Sequence, residues 1–198
     1  MRIVAGRHRG RPIAAPTGHD IRPTSDRVRE AVFNILEHRD WGPGGISVVT
    51  NARVLDGFSG TGALGLEALS RGAAHATFMD KNRTALDLCR QNLDTLGERK
   101  SADVLQGDCL KPARPSAGCD LVFLDPPYNK ALAGPALGTL RDAGWIIPGT
   151  ICVIETSAKE NPEFPEGFEL LDERKYGAAR MYFLRYEAPA TPHQAPDC

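Results

Sequence analysis

Five short apolar runs recur along the middle of the chain, and each leads into a polar or turn-forming residue. They occupy residues 53–55, 76–79, 103–106, 120–124 and 151–154. Segments with apolar side chains at helical spacing separate the first three runs, at about 62–71 and 83–96, and the second segment stops at Gly97 as a C-terminal cap requires. Strands that alternate with helices predict a parallel sheet, and near-continuous apolar strands predict burial on both faces. The pattern therefore predicts a doubly wound α/β fold.

The C-terminal part of the chain departs from this alternation. Residues 168–174 and 180–186 are joined by a loop that contains Gly177, and they predict an antiparallel hairpin added at the sheet edge. The stretch between the third and fourth runs is short, contains two prolines and predicts only a turn. Residues 187–198, EAPATPHQAPDC, predict a disordered tail.

The N-terminal part contains frequent glycine and proline, so residues 1–23 are predicted to form an arm and loop. Ser25 can then cap a helix. The apolar residues that fall on one face of this helix are Val28, Ala31, Val32, Ile35 and Leu36. We therefore expect an arm at 1–23, a main domain at 24–186 and a tail at 187–198.

The composition is that of a globular protein with one sizeable core. The chain has 198 residues, of which 41% are hydrophobic and 25% charged. No apolar run approaches the roughly 18 to 20 residues that span a bilayer, and the first residues do not resemble a signal peptide, so a soluble, cytoplasmic protein is expected. Five cysteines without a C-x-x-C pair or a neighbouring histidine predict neither a disulfide framework nor a metal site.

The formal net charge of -1 hides a basic N-terminus. The arginines of its first eleven residues, which contain no acid, are Arg2, Arg7, Arg9 and Arg11. A localised basic arm on a near-neutral body favours contact with nucleic-acid phosphates at one site. A solvated terminus without such a role fits the charge pattern equally well.

An acid stands at or just after the end of every predicted strand of the central sheet. These acids are Asp56, Asp80, Asp108, Asp125 and Glu155. In an open α/β sheet the ligand lies outside the carboxyl ends of the strands, so the five acids are expected to converge on one crevice. A single acid at such a position is more often a turn or cap residue, and the repetition is what favours a binding site.

The first strand leads into the loop sequence DGFSGTGALG. Gly60, Gly62 and Gly65 satisfy G-x-G-x-x-G, which alone suggests a dinucleotide fold. Asp56 before the loop suits an ammonium group better than a pyrophosphate. Asp80 can accept both hydroxyls of a ribose, and Asp108 can reach an adenine amine. These acids together favour an adenosine that carries an amino acid.

The order D56-GFSGTG, Asp80, Asp108 and D125-PPY resembles that of S-adenosylmethionine-dependent methyltransferases of the Rossmann-like class. GRHRGR at 6–11, RPTSDRVREAVFNIL at 22–36, GALGLEALSRGA at 62–73 and FLDPPY at 123–128 resemble, more narrowly, the bacterial family that methylates the exocyclic N2 of one guanine in 16S ribosomal RNA. The resemblance covers residues 1 to about 186. It implies a Rossmann-like methyltransferase sheet, an S-adenosylmethionine cofactor and ribosomal RNA as partner, within an assembling small subunit. A monomer is expected.

The resemblance also implies which residues line the cofactor site. The glycine loop lies against the amino acid portion, Asp80 holds the ribose, Asp108 the adenine amine, and the backbone beside Lys81 and Cys109 packs near the adenine. In the family the helix after RPT closes over the cofactor. The implied cofactor residues are Thr24, Arg27, Asp56, Phe58, Gly60, Gly62, Asp80, Lys81, Asp108 and Cys109.

The stretch LVFLDPPYNK at 121–130 carries the candidate chemistry. An exocyclic amine of a base is a poor nucleophile, and its lone pair must be aimed at the methyl group. Asp125 and the carbonyl of Pro126 can each accept one amine hydrogen, and Pro126 and Pro127 restrict the backbone. Tyr128 offers a ring on which a base pulled from its stack can rest, although a core-packing role is also open.

Three other functions remain compatible with parts of this sequence. A DNA methyltransferase acting on adenine N6 or cytosine N4 would also methylate an exocyclic amine, but 198 residues leave little room for a DNA target-recognition domain. A nicotinamide-dependent oxidoreductase would use the three loop glycines, yet no hydride-transfer partner is evident. An RNA-binding module with a decayed pocket is disfavoured by the intact acid and glycine series.

Overall fold

The computed structural model describes residues 1–15 and 25–188. Its α-helices are α1 Asp26–His38, α2 Ala63–Ser70, α3 Arg83–Leu96 and α4 Ala133–Ala143, with single 3-10 turns at Pro43–Gly45 and Arg99–Ser101. Its strands are β1 Arg53–Gly57, β2 His75–Asp80, β3 Ala102–Gln106, β4 Cys119–Leu124, β5 Ile146–Ser157, β6 Phe168–Tyr176 and β7 Ala179–Tyr186. No helix among the described residues is long and apolar enough to cross a membrane. The predicted tail at 187–198 lies almost entirely outside the described residues.

The strands form one seven-stranded sheet in the order β3-β2-β1-β4-β5-β7-β6. Strands β1 to β5 are parallel, whereas β7 runs antiparallel between β5 and β6. The predicted doubly wound sheet with a C-terminal antiparallel hairpin is confirmed. The hairpin lies at the sheet edge as expected, with β7 as its inner strand.

Side chains from the two sheet faces enter two separate cores because successive residues of a strand point to opposite faces. One core contains Phe78 and Phe123 with residues of α1, α2 and α3, and the other contains Val122 and Leu124 with residues of α4. Between β3 and β4 the chain forms turns and loop without a helix, as the two prolines indicate. The sheet is therefore covered by helices on both faces, as near-continuous apolar strands require.

Helix α4 connects β4 to β5, and the sequence pattern did not predict it. Gly134, Pro135 and Gly138 lie within it, and these residue types disfavour a helix interior. Its apolar side chains, including Leu137 and Leu140, are buried in the second core. Burial against the sheet therefore outweighs the poor helix propensity of this segment.

Helix α1 begins as predicted and packs the predicted face against the first core, together with two further side chains. The Ser25 hydroxyl accepts a hydrogen bond from the Val28 N–H and so caps the helix. Its buried side chains are Arg29, Val32, Phe33 and Leu36. Of the predicted face, Val32 and Leu36 are buried, and Val28 and Ile35 are half-buried against the same core. An arginine occupies the core position because it finds an anionic partner there, which hydrophobic periodicity does not reveal.

The first fifteen residues pack against the main domain. Ile3 and Ile13 are buried in the first core, and Arg2 and Pro12 form an antiparallel bridge. The backbone N–H groups of Val4 and Ala5 donate to the carboxylate of Glu67 in α2, at 2.8 and 2.9 Å. Residues 1–15 of the arm therefore share the core of the main domain, and the predicted boundary at residue 23 lies outside the described residues.

Candidate active site

The strand ends meet at one edge of the sheet. Strands β1 to β4 are parallel and adjacent, and the register pairs Gly57 of β1 with Met79 of β2 and Leu124 of β4. Asp56, Asp80 and Asp125 consequently lie at this edge, as predicted. Glu155 differs in one respect, because β5 extends to Ser157 and the acid lies inside the strand.

Asp80 is held in one orientation by two backbone groups. Its Oδ2 accepts a hydrogen bond from the N–H of Gly60 at 2.8 Å, and its Oδ1 accepts one from the N–H of Asn82 at 2.8 Å. Asn82 caps helix α3 by accepting from Ala85 N–H. The carboxylate thus joins the glycine loop to the start of α3, and its further lone pairs can accept from a ligand.

Asp56 occupies a different position from the one expected at the mouth of the loop. It is buried, with 2% of its surface exposed, and its Oδ2 accepts a hydrogen bond from the N–H of Gly65 in α2 at 2.8 Å. Burial raises the pKa of this carboxyl to about 8, the Gly65 hydrogen bond opposes the rise, and the nearby Asp80 charge adds to it. Asp56 therefore anchors the start of α2 beneath the loop.

The loop glycines have separate structural requirements. Gly62 has φ +84°, and a Cβ there would lie 2.7 Å from the Cys89 sulfur. A Cβ on Gly65 would lie 2.4 Å from Phe78, whereas a Cβ on Gly60 would meet no atom within 4 Å. Gly62 and Gly65 allow α2 to approach β2 closely, and Gly60 leaves open space above the loop.

The other predicted cofactor residues flank this space in different ways. Lys81 Nζ forms an ion pair with Asp108 Oδ2 at 2.9 Å, and Asp108 Oδ1 accepts from Leu110 N–H. These bonds lower the pKa of Asp108 against the opposing effect of partial burial. The Cys109 side chain is buried and its carbonyl accepts from Thr139, so only a small part of this residue remains for a ligand. Phe58, at φ +56°, is half-buried beside the second core.

The DPPY segment follows β4 directly. Asp125 is half-buried and its N–H lies 3.5 Å from the carbonyl oxygen of Gly57 in β1. Pro126 is buried and Pro127 is exposed. The Tyr128 hydroxyl donates to Glu155 Oε1 at 2.6 Å, while 36% of the tyrosine surface remains exposed. This contact orients the ring and leaves part of it accessible.

A cavity of about 540 Å³ borders the DPPY segment. One wall is formed by residues 126–127 and 131–135, and the other by Thr156 and residues 160–165. This volume falls within the range of about 300 to 1,000 Å³ that is usual for small-ligand pockets. The apolar rings of its prolines and of Phe164 suit the faces of a planar ligand.

The arginines predicted to contact nucleic acid differ in their environment. Arg7 pairs with the carboxylate of Glu98 at 2.7 Å, and Arg11 donates to the carbonyl of Thr95. Arg2 lies 3.4 Å from Asp26, and Arg9 is exposed. Three of the four therefore also attach the arm to the body of the protein.

The residues expected above the cofactor are only partly described. Arg27 is exposed on α1 at the first turn, and Thr24 lies outside the described residues. The buried arginine of this helix is Arg29, which donates to the carbonyl oxygen of Arg2 and to Asp26. The structure therefore assigns an interior role to Arg29 and leaves the expectation for Arg27 as a prediction.

Two glutamates of evident importance were missed at the level of sequence. Glu67 is fully buried, and its carboxylate accepts hydrogen bonds from the arm backbone and from the side chains of Arg29 and Arg71. Glu160, in the loop after β5, binds the N–H of Asn129 just after the DPPY segment. Neither lies in a strand-end position or a glycine motif, and a glutamate on an otherwise apolar α2 was the only available signal.

The fold and this strand-end site define the chain as a Rossmann-like methyltransferase. A family model described as conserved hypothetical protein 95 matches residues 1–185, and the chain belongs to this family. The ribosomal RNA small subunit methyltransferase D of Haemophilus influenzae is 35% identical over 188 residues, covering 92% of this chain and 93% of the relative. That of Escherichia coli is 35% identical over 186 residues, covering 92% and 89%.

Solved structures have the same architecture. The Escherichia coli protein yhhF matches with a TM-score of 0.80 at 34% identity, covering 96% of this chain and 99% of that one. An RNA methyltransferase from Salinibacter ruber in complex with S-adenosyl-L-homocysteine matches with a TM-score of 0.63, covering 86% and 97%. At 15% identity the second match bears on the fold alone.

Proposed function

We propose that this protein transfers a methyl group from S-adenosylmethionine to the exocyclic N2 amine of a guanine in small-subunit ribosomal RNA. The observation that carries the proposal is the DPPY segment, which begins at the end of β4 beside the glycine loop of β1. The family relatives named for ribosomal RNA methylation support RNA as the substrate class. The choice of the guanine N2 amine rests on the resemblance of the N-terminal motifs.

The residues at the strand ends fit S-adenosylmethionine. Open space above Gly60 receives the ligand, and Asp80 accepts from the ribose hydroxyls. Asp108 accepts from the adenine amine, and its ion pair with Lys81 keeps it ionised. Asp56 would support this site from beneath, because its carboxyl holds the start of α2 under the glycine loop. The cofactor supplies a methyl group activated by a sulfonium.

Asp125 and Pro126 prepare the amine for attack. The carboxylate and the proline carbonyl each accept one amine hydrogen, so that the nitrogen lone pair points toward the methyl group. S-adenosylmethionine would supply the methyl group, with its sulfur keeping the electron pair of the broken methyl–sulfur bond, and the Asp125 carboxylate, which already accepts an amine hydrogen, would take the proton that the amine loses. The Asp125 carboxylate stabilises the positive charge that develops on the nitrogen before this proton transfer.

Tyr128 and the arm hold the RNA. The target base is taken out of its stack and rests on the exposed part of the tyrosine ring, whose orientation is set by Glu155. The exposed arginines of the arm, among them Arg9, contact phosphates of neighbouring nucleotides. These contacts fix the register of the RNA and carry no base information.

The test is a transfer assay with tritiated S-adenosylmethionine. Immature small ribosomal particles, free ribosomal RNA and duplex DNA are offered side by side, and labelled nucleosides are identified after digestion. We expect label on N2-methylguanosine from the ribosomal substrate, and Asp125→Ala should abolish it while cofactor affinity stays close to that of the unaltered protein. Label confined to DNA, or absent from every guanine, would contradict the proposal.

A further inference from the structure

We propose that Glu160 is a positioning residue that fixes the backbone of the catalytic segment. Its carboxylate binds two backbone groups from different parts of the chain. Oε1 accepts from the N–H of Asn129 at 2.8 Å, and Oε2 accepts from the N–H of Ser157 at 2.9 Å. The glutamate therefore bridges the segment after β4 to the end of β5. This inference rests on the proposed function.

The segment held in this way has an unusual backbone. Asn129 has φ +59° and Ala131 has φ +50°, both in the left-handed region. Asparagine tolerates this region, but alanine rarely adopts it, so the local conformation has to be maintained by contacts elsewhere. Glu160 supplies such a contact directly after the DPPY segment, and its charge strengthens both hydrogen bonds.

Glu160 and Glu155 hold the segment at successive residues. Glu155 accepts from the Tyr128 side chain, and Glu160 accepts from the backbone of Asn129. The first contact orients the ring, whereas the second restricts the chain that carries Pro126 and its carbonyl oxygen. A carbonyl that must accept an amine hydrogen has to be in place before the substrate arrives.

The same bridge sets the width of the neighbouring cavity. Pro126 and Pro127 form part of one wall, and Glu160 belongs to the other. Because the carboxylate links the two walls, its loss should let the loops separate and the catalytic carbonyl shift. A displacement of about 1 Å at a reacting centre costs on the order of 100-fold in rate.

The variant Glu160→Gln tests the role because the two N–H groups bind different carboxylate oxygens, and in glutamine one of these oxygens is replaced by an NH2 donor. We expect kcat for transfer to ribosomal RNA to fall about 10- to 100-fold, with the dissociation constant for S-adenosylmethionine unchanged. The matched control is Glu166→Gln, an exposed glutamate in the same loop, which should retain the kinetics of the unaltered protein. Amide hydrogen exchange provides a readout without turnover. Exchange should accelerate at Asn129 or Ser157 and stay the same in the central strands.

The outcomes separate this inference from the proposed function. If the unaltered protein methylates no RNA, the proposed function fails, and hydrogen exchange still reports whether Glu160 holds the loop. If the unaltered protein is active and Glu160→Gln matches it in kcat and in exchange at both amides, the positioning role is wrong. A global rise in exchange would show a merely structural role and would also overturn it. Glu160→Asp, which retains both acceptors, should recover part of the lost kcat.

Discussion

Asp56→Asn tests whether the buried acid beneath the glycine loop is neutral in the folded protein. Burial raises the pKa of Asp56 from 3.8 to about 8. A carboxyl with a raised folded-state pKa contributes stability that is fully present below its unfolded pKa and is lost as the pH rises through its folded pKa. The contribution of Asp56 to the free energy of unfolding therefore declines between about pH 4 and pH 8 and is constant above pH 8.

The size of this effect follows from the linkage between protonation and folding. One pKa unit is worth about 1.4 kcal/mol, so the decline from about pH 5 to about pH 8 is of the order of 4 kcal/mol. Asparagine is neutral at every pH and its side-chain oxygen can still accept from the Gly65 N–H. The variant should therefore gain stability relative to the unaltered protein as the pH rises.

The assay is urea unfolding of both proteins without cofactor at about pH 5 and about pH 8, with equal m-values as the condition for comparing free energies. Groups that do not interact with residue 56 contribute equally to both proteins and cancel in the difference. Asp142→Asn, at an exposed site beside Arg141, is the control and should show no comparable change with pH. If the difference between Asp56→Asn and the unaltered protein is the same at both pH values, Asp56 is ionised in the fold and the reasoning fails.

Two further substitutions probe the arm and the cofactor site. Glu67→Gln should lower the free energy of unfolding by about 3 to 5 kcal/mol, because the buried side chains of Arg29 and Arg71 both lose the negative charge of Glu67. Urea unfolding measures this change, and limited proteolysis of the arm should become faster in the variant. An unchanged free energy of unfolding would contradict the role of Glu67 in holding the arm and the buried arginines. Asp80→Ala should weaken S-adenosylmethionine binding about 10- to 100-fold, since charge-assisted hydrogen bonds are worth about 1.5 to 3 kcal/mol. Calorimetric titration checks this, and undiminished affinity would show that the ribose is held elsewhere.

Local sequence patterns were enough to predict most of the sheet. Near-continuous apolar runs and the alternation of strands with helices predict β1 to β5, and turn residues predict the final hairpin. Helix α4 could not be predicted in the same way, because its glycines and proline oppose a helix, whereas burial of side chains such as Leu137 and Leu140 stabilises it. Patterns of propensity report local preference, whereas tertiary packing decides where the two conflict.

The features of the candidate site likewise fall into those that the sequence predicts and those that only tertiary contacts define. The sequence by itself determined that acids end the strands and that DPPY follows the fourth of them. Because parallel strands bring their carboxyl ends to one edge of the sheet, this order was enough to predict that these residues lie near one another. Only the tertiary structure decided that Asp56 lies beneath the loop and that Glu160 reaches the backbone after Tyr128. Such contacts join residues that are distant along the chain, so their partners become defined only when the fold brings them together.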